Sequence, residues 1–217
     1  MSVITISREL GSGGTYISRQ VAQTLGYHLV EKDTLQKVLG QYGFAQFETE
    51  YESAPSFWER LDSNRIQMIE MLNKVIMAVA QHGNVVILGR GSFAVLDNYR
   101  DVLNVRIQAP FALRVKRVME NQVFSTWQQA EEFVIESDRV RREFVESVYG
   151  KQWDSVSAFD LVIDTRKVAP DIAVDWLETI AKRLSNLERG EAPTTRSIEV
   201  DPVLQETIAQ ILDRQPA

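Results

Sequence analysis

The stretch SRELGSGGTY, residues 7–16, directly follows the β-branched run VITI at residues 3–6. Three of its glycines, Gly11, Gly13 and Gly14, fall within four positions where a strand gives way to a helical pattern. Glycine loses more conformational freedom on folding than any other residue, so such a cluster indicates a close approach of the backbone to something. A strand, a glycine turn and a helix N-terminus in this order are typical of a phosphate-binding loop.

The usual phosphate-binding pattern, G-x-x-x-x-G-K-[ST], matches this stretch in part. When the pattern is laid over residues 8–15, Gly13 and Thr15 agree with its second glycine and its hydroxyl residue. Arg8 stands in place of the first glycine, and Gly14 stands in place of the lysine. The stretch therefore has the context and the hydroxyl of a phosphate-binding loop, but its positive charge must come from elsewhere.

Two other interpretations of the glycines are open. In the dinucleotide fingerprint G-x-G-x-x-G, Gly11 and Gly13 would be the first two glycines and Asp33 the following acid. Tyr16 then falls on the third glycine position, where its ring would not fit between helix and strand. In the remaining interpretation the glycines form a flexible turn without a ligand. We favour phosphate binding over both.

Apolar runs of strand length alternate with amphipathic helical patterns along the chain. Strands are predicted at residues 3–6, 28–30, 85–88, 103–107 and 159–164. Helices are predicted at residues 17–25, 64–82, 110–119, 171–184 and, in the tail, 202–214. This alternation predicts an α/β fold with a parallel sheet covered by helices on both faces. Because ligands of such sheets bind at the carboxyl ends of the strands, the glycine loop, the Gly89-Arg90-Gly91 turn and Asp164 should share one edge.

Three stretches depart from this alternation. Residues 40–60 are aromatic and acidic without clear periodicity, and residues 120–158 form a long helical excursion between the fourth and fifth strands. Residues 188–197 have the composition of a linker, so we predict a domain over residues 1–187 followed by a linker and C-terminal extension over 188–217. The sequence leaves open whether this tail packs on the domain or on a partner.

The overall charge limits the classes of partner. The chain of 217 residues has a formal net charge of −6, which argues against a general affinity for nucleic acid. No apolar run approaches the roughly 20 residues needed to span a bilayer, so we expect no membrane partner. The N-terminus shows no basic and apolar signal regions, so we expect a cytoplasmic protein.

Few residues are available for metal or redox chemistry. The chain has no cysteine, which excludes disulfides, thiolate zinc sites and a cysteine nucleophile. Its two histidines, His28 and His82, are far apart in the sequence. We therefore expect structural roles for both and no metal site built from them.

With these features in hand, the chain resembles the cytidylate kinase-like family of P-loop phosphotransferases, a branch that itself lacks the usual lysine. The resembling pieces appear in the family's order over residues 1 to about 184. They are ITISRELGSGG (4–14), LGYHLVEKDTL (25–35), VVILGRGS (85–92), SDRVRREF (137–144) and YGKQWDSVSAFDLVIDT (149–165).

The resemblance implies a three-layer α/β/α fold like that of the nucleoside monophosphate kinases, in which the middle layer is a five-stranded parallel sheet. It implies that residues 40–82 form a monophosphate-binding region and that residues 120–158 form a helical lid. The substrates would be nucleotides, with ATP as phosphoryl donor, Mg²⁺ as its metal and a monophosphate such as CMP as acceptor. A homo-oligomer is compatible with the resemblance.

The resemblance also implies roles for individual residues of the loop and the arginines. The backbone N–H groups of Gly11, Ser12, Gly13, Gly14 and Thr15 would hold the donor phosphates, and the Thr15 hydroxyl would contact Mg²⁺. The resemblance points to Arg139 and Arg141 as lid residues that reach the transferring phosphoryl group. Arg8 and Arg90 are candidates from their positions, at the start of the loop and between two glycines at the end of a strand, although Arg8 could instead pair with Glu9 or Glu31. The lid arginines could likewise pair with their own helical neighbours Glu136, Asp138 and Glu143.

Acidic residues would serve the acceptor. Asp138 would orient the lid arginines or contact substrate, and Glu31 or Asp33 would bind the acceptor or act as a base. Leu88 is a departure, because many P-loop enzymes carry an acid at the end of this strand to hold Mg²⁺ through water. We therefore expect a nucleotide-dependent phosphotransferase, with a catalytically weak nucleotide-binding sensor or regulatory module as the alternative.

Overall fold

A computed structural model describes residues 2–47, 51, 62–121, 124–185 and 192–214. The described residues contain five strands, each a short apolar run as the sequence predicts. Their bounds are β1 Val3–Arg8, β2 His28–Val30, β3 Val85–Leu88, β4 Val102–Gln108 and β5 Leu161–Asp164. All neighbouring pairs run parallel in the order β2-β3-β1-β4-β5, which confirms the predicted five-stranded parallel sheet.

The register of the sheet decides which loops become neighbours. β1 lies at the centre of the sheet, where Ile6 pairs with Leu88 of β3. On the other side of β1, Arg8 pairs with Ile107 of β4. Since the carboxyl ends of parallel strands lie on one edge, the loops that follow β1, β3 and β4 meet there.

Eight helices connect and cover the strands within the described residues. Their bounds are α1 Gly14–Leu25, α2 Lys32–Gln41, α3 Ser63–His82, α4 Ser92–Val95, α5 Phe111–Asn121, α6 Trp127–Tyr149, α7 Pro170–Leu184 and α8 Pro202–Leu212. The sequence predicts neither α2 nor the single-turn α4. The helical excursion at 120–158 contains α6, a helix of 23 residues that begins at Thr126 as N-cap and ends at Gly150.

Alternating residues of the strands build two separate cores, one on each face of the sheet. On β1, Ile4 and Ile6 pack with Ile17 and Val21 of α1 and with Leu177 of α7. Val3 and Val85 belong to the opposite core, which α2, α3 and α8 cover. A helical layer on each face gives the three-layer architecture.

The tail packs on the domain, which answers the question that the sequence leaves open. Leu204, Ile208 and Leu212 of α8 are buried in the core beside α3. Ahead of α8, Thr195 donates its backbone N–H and its hydroxyl to the two carboxylate oxygens of buried Asp101 at 2.8 and 2.7 Å. The described part of the C-terminal extension, residues 192–214, therefore packs on the domain.

Some predictions fall outside the described residues. Residues 48–50 and 52–60 hold most of the aromatic and acidic stretch at 40–60, which is part of the predicted monophosphate-binding region 40–82, and residues 186–191 hold the predicted domain boundary at 187. Within the described part of the chain, no helix combines the length and the apolar character needed to cross a membrane.

Candidate phosphoryl-transfer site

The glycine loop joins β1 to α1 with two residues in left-handed conformations. Gly11 has φ 78° and Gly13, the N-cap of α1, has φ 85°. A Cβ atom on Gly11 would lie 2.6 Å from the backbone oxygen of Arg114. The close approach at Gly11 is therefore made to the protein's own backbone at the start of α5.

Ser12 shapes the loop from within. Its backbone N–H and its hydroxyl both donate to the Glu9 carbonyl, at 3.3 and 2.7 Å. Its own carbonyl accepts a hydrogen bond of 2.7 Å from the Thr165 hydroxyl, which follows β5. The backbone N–H, the hydroxyl and the carbonyl of Ser12 are thus all hydrogen-bonded within the protein. This geometry favours a structural role for Ser12 over the predicted contact with phosphate.

Gly14 is a glycine because the side chain of Arg8 lies against it. A Cβ atom at Gly14 would stand 2.5 Å from the Arg8 Cβ. The Arg8 side chain then extends to Gly89 at the end of β3, where an added Cβ would stand 2.2 Å from the Arg8 Nη1. Real Cβ atoms do not approach other atoms so closely, so a lysine at position 14 and an arginine at position 8 exclude each other in this arrangement.

The Arg8 guanidinium lacks an anionic partner at its inner nitrogen. Its Nε is buried and has no hydrogen-bond acceptor among the described residues. Burial, and next the nearby Arg141, lower the pKa of Arg8 to about 9. The group is still a cation at neutral pH. Its charge is thus held where an added anion would be strongly stabilised, and the predicted pairing with Glu9 does not form, since Glu9 bonds Arg106 and Arg114.

Arg90 is held in place by its backbone and by aromatic rings. Gly89, Arg90 and Gly91 have φ angles of 77°, 57° and 71°, three successive residues in the left-handed region. For a residue with a side chain this conformation costs of order 1–3 kcal/mol and is retained where the surroundings impose it. The Arg90 guanidinium lies over the Tyr51 ring at 3.7 Å from its centroid, which orients the cation toward the cleft.

Arg141 projects from α6 toward Arg8. It donates to the Ser137 carbonyl at 2.8 Å and to the Ser137 hydroxyl at 2.5 Å. Burial lowers the pKa of Arg141, and the Arg90 charge acts in the same direction. Arg8, Arg90 and Arg141 therefore form a cluster of cations that a polyanion would stabilise.

Asp138 connects α6 to the glycine loop. Its Oδ1 accepts a hydrogen bond of 2.9 Å from the Leu10 backbone N–H, and its Oδ2 accepts one of 2.6 Å from Arg114. The Arg141 guanidinium lies 3.6 Å from Oδ1. This arrangement favours the orienting role predicted for Asp138, because its carboxylate is engaged by Leu10, Arg114 and Arg141.

Arg139 is directed away from this cluster. It forms ion pairs with Glu136 at 2.6 Å and with Glu143 at 2.5 Å along α6, and it lines neither of the two cavities beside the cluster. Hydrogen bonds to these two carboxylates raise the pKa of Arg139. The prediction that Arg139 reaches the phosphates is not supported by this geometry. Its alternative, pairing along the helix, is the arrangement that the structure has.

Two cavities open beside the arginine cluster. The smaller, of about 210 Å³, is lined by Arg8, Glu9, Leu10, Gly11, Gly13, Gly14, Thr15, Arg117, Val118, Asn121 and Arg141. The larger, of about 630 Å³, is lined by Arg8, Arg19, Glu31, Lys32, Asp33, Tyr51, Leu88, Arg90, Phe133, Glu136, Ser137, Val140 and Arg141. Arg8 and Arg141 line both cavities, so the two meet at these side chains.

The predicted acids Glu31 and Asp33 both border the larger cavity. Glu31, at the N-cap of α2, pairs with Arg19 of α1 at 3.1 Å. Asp33 is exposed in the first turn of α2. Each is thus placed to contact a molecule in the larger cavity.

Sequence reasoning missed two arginines of the cleft. Arg19 lines the larger cavity and Arg117 lines the smaller one. Arg117 also donates to the Thr165 carbonyl and hydroxyl, each at 2.9 Å. Arg114 and Arg117 are three residues apart in the helix predicted after Pro110, so they lie on the same side of it. This spacing is the signal from which Arg117 could have been identified as a residue of the cleft.

The residues of the smaller cavity can be compared with the needs of Mg²⁺. Mg²⁺ prefers oxygen ligands and usually keeps several waters, with substrate phosphates completing its shell. Thr15 lies in the first turn of α1 beside the cavity, and the cap position belongs to Gly13, so its hydroxyl is not consumed by capping. One protein hydroxyl beside the smaller cavity fits such a metal if substrate phosphates supply the other ligands, while buried Leu88 offers no ligand at the end of β3.

Comparison with known proteins gives a family model and several relatives that all concern cytidylate kinases. A model described as the cytidylate kinase-like family matches residues 3–167. A cytidylate kinase from Pyrobaculum aerophilum is 30% identical over 177 residues, which are 80% of this chain and 89% of that protein. A cytidylate kinase from Ignicoccus hospitalis is 29% identical over 179 residues, which are 82% of this chain and 98% of that protein.

Solved structures share the fold. An uncharacterized protein from Eubacterium ventriosum superposes with a TM-score of 0.64 at 20% identity, covering 84% of this chain and 99% of that one. Shikimate kinase from Bacteroides thetaiotaomicron gives 0.50 at 14% identity, covering 83% of this chain and 98% of that one. These likenesses establish the architecture around the cleft.

Proposed function

This chain belongs to the cytidylate kinase-like family, and we propose that it transfers the γ-phosphoryl group of ATP to a nucleoside monophosphate such as CMP. The observation that carries the proposal is the meeting of two cavities at Arg8 and Arg141. Phosphoryl transfer needs a donor and an acceptor held end to end, with positive charge at the point between them.

The smaller cavity is the proposed donor side. It lies at the N-terminus of α1, where unpaired backbone N–H groups and the helix dipole favour an anion. Gly13, Gly14 and Thr15 border it there, and Arg117 adds a cation from α5. When Mg²⁺ is bound, it neutralises phosphate charge, and Thr15 is the residue that would hold it. Ser12 keeps the loop in shape.

Arg8 supplies the charge that Gly14 lacks. Its side chain passes Gly14 and reaches Gly89 between the two cavities, where a transferring phosphoryl group would lie. A guanidinium can hold two phosphate oxygens at once, which an ammonium cannot. Arg141 approaches the same point from α6, with Asp138 and Ser137 fixing its direction.

The larger cavity is the proposed acceptor side. Its volume of about 630 Å³ falls in the range of small-molecule sites. Arg90 would hold the acceptor phosphate near Arg8, while Glu31 and Asp33 would contact the ribose or base. The larger cavity offers both carboxylates and arginines, as a monophosphate with a polar nucleoside requires.

The test is an assay of purified protein with ATP, Mg²⁺ and a panel of nucleoside monophosphates. We expect ADP formation that depends on one acceptor, with CMP the first candidate. Product identity is checked by chromatography, and a reaction without acceptor gives the background hydrolysis. Acceptor-dependent ADP absent from the whole panel, with protein that binds ATP, would exclude the kinase.

A second candidate function is a nucleotide-binding sensor or regulatory module with little turnover. Gly14 in place of the usual lysine and Leu88 in place of an acid favour it. The same assay separates the two functions, because a sensor binds ATP and returns it unchanged. ATP binding is followed independently by calorimetry.

A further inference from the structure

The chain's two histidines, 54 residues apart in the sequence, meet in space. His28 begins β2 and His82 ends α3, and their ring centroids are 5.5 Å apart in an edge-to-face arrangement. The His28 backbone N–H donates to the Asn84 carbonyl at 3.0 Å, which holds the end of α3 beside the start of β2. Their separation in the sequence, from which we expected no metal site, is therefore not a separation in the fold.

A carboxylate completes the group. Asp213, which follows the last turn of α8, places an oxygen beside the two rings, so that one ligand atom from each of the three residues lies within 4.8 Å of the others. The histidines are half-buried and Asp213 is exposed. The cluster is at the amino ends of β2 and β3, the edge of the sheet opposite the phosphoryl-transfer cleft.

The hydrogen bonding of His82 leaves one ring nitrogen available. Its Nδ1 lies 3.3 Å from the Gly83 carbonyl. A carbonyl only accepts hydrogen bonds, so the neutral tautomer that forms this contact has its proton on Nδ1 and the lone pair on Nε2. Histidines that bind metals are commonly oriented in this way, with the other ring nitrogen donating to a backbone carbonyl.

We propose that His28, His82 and Asp213 form a binding site for a divalent transition metal, with Zn²⁺ as the preferred ion. Two imidazoles and one carboxylate are ligands that Zn²⁺ accepts in four-coordinate sites, with water as the fourth ligand. Bonds of about 2.0–2.1 Å in a tetrahedron put ligand atoms roughly 3.4 Å apart. Small rotations of the exposed Asp213 and the two rings bring the present atoms to that spacing.

The site would fasten the C-terminal helix to the domain. Two ligands come from residues 28 and 82, inside the segment matched by the family model, and the third comes from α8, beyond that segment. A bound ion would therefore add a link between the tail and the sheet that is independent of the cleft. The site joins the extension to the domain and is separate from the phosphoryl-transfer cleft.

The test uses the full chain, freed of metal by a chelator and without nucleotide. We expect one Zn²⁺ to bind per chain by calorimetry and one Co²⁺ to give a visible absorption band of tetrahedral type. With two histidines in the sequence, an imidazole NMR spectrum has two sets of signals. Both should shift on addition of Zn²⁺.

Variants identify the ligands. Loss of an outer-shell partner commonly weakens metal binding about 10–100-fold, so His82→Gln and Asp213→Asn should weaken it by about that factor or more. Glu206→Gln, on an exposed position of α8, removes the same charge as Asp213→Asn and should leave binding unchanged. Zn²⁺ should also raise the Tm of the natural chain and not that of His82→Gln.

Two results would overturn the site. One is the absence of Zn²⁺ and Co²⁺ binding by a folded natural chain. The other is binding that persists at full strength in both His82→Gln and Asp213→Asn, which would place the ion elsewhere. Asp213 is exposed, so its variant tests the site even if a histidine variant fails to fold.

Discussion

Arg139 and Arg141 stand two residues apart on α6, and the two sides of this helix use the same residue type differently. The Arg139 side chain is 38% exposed and is paired with Glu136 and Glu143. The Arg141 side chain is 18% exposed, is turned toward the cleft and approaches Arg8. Two residues along a helix rotate a side chain by about 200°, so the two arginines face nearly opposite ways.

The difference shows how a cation is kept available for a ligand. Two carboxylates of α6, Glu136 and Glu143, neutralise Arg139, and exposed pairs of this kind contribute little to stability. On the inner side, Asp138 is largely occupied by Leu10 and Arg114, so Arg141 keeps most of its charge for the cleft. Burial beside other arginines, rather than residue type, distinguishes the side that would act on phosphate.

The largest effect is expected at the centre of the cluster. Arg8→Met should lower kcat/KM by about 10²–10³-fold, or about 2.7–4 kcal/mol, since one donor to the transition state is lost. The kcat/KM of Arg8→Lys should lie between those of Arg8→Met and the natural chain, because an ammonium keeps the charge without the planar geometry of a guanidinium. Steady-state kinetics with the acceptor identified by the substrate panel measure both. A rate within about twofold of the natural chain for Arg8→Met would remove Arg8 from the site.

A matched pair of variants distinguishes the catalytic contributions of Arg141 and Arg139 on α6. Arg141→Met should lower kcat/KM by about 10–100-fold, or about 1.4–2.7 kcal/mol, because a charge facing the transferring group is lost. Arg139→Met, on the outer side, should leave kcat/KM within about twofold. The same kinetic assay compares them. Equal losses in both variants would mean that α6 rearranges in the working enzyme and that Arg139 also reaches substrate.

The packing of Arg8 against Gly14 predicts a coupled pair. Gly14→Lys alone should lower kcat/KM, because its Cβ displaces Arg8, and Arg8→Gly alone removes the charge. The double variant restores the usual loop pattern and should be more active than either single variant, with a coupling of about 0.5–3 kcal/mol. A double-mutant cycle on kcat/KM measures this coupling. Losses that simply add would show that the two positions act independently.

A smaller effect concerns stability. Because burial lowers the pKa of Arg8 to about 9 from an ordinary 12.5, the folded state holds this proton less tightly than the unfolded state. The cost of the buried cation is therefore present in full below pH 9 and is relieved as pH rises above it. Nucleotide-free Arg8→Met should be more stable than the natural chain by about 0.5–2 kcal/mol at neutral pH.

Urea unfolding from pH 7 to 10 measures this difference. The advantage of Arg8→Met should shrink above pH 9, and ATP should stabilise the natural chain more than the variant. A variant that is less stable than the natural chain at every pH would show that Arg8 contributes packing rather than a stored electrostatic cost.

The sequence predicts the frame of the molecule well, because its strands are short apolar runs. Val85–Leu88 is buried throughout, and such a run is typical of a strand inside a parallel sheet. The helix α2 was missed although Leu35, Val38 and Leu39 have helical spacing and are buried. Its ten residues follow a three-residue strand so closely that periodicity had little length in which to show.

The site is less predictable, since its contacts depend on strand order. That Arg8 lies against Gly89 follows from β3 being the neighbour of β1, which alternation of elements does not specify. The choice between Arg139 and Arg141 depends on how α6 is rotated about its axis. The meeting of His28 and His82 likewise depends on where α3 ends relative to β2.

In the proposed kinase, the carboxylate of Asp138 would also affect how fast nucleotides leave. It ties α6 to the loop backbone at Leu10 and to buried Arg114, so swinging α6 outward would break both bonds at once. Arg114 would keep its ion pair with Glu9 in that movement, so the cost is the loss of the two hydrogen bonds to Asp138, about 1.5–3 kcal/mol for each. Product release past α6 in that kinase would therefore be slower than past a helix without these two hydrogen bonds.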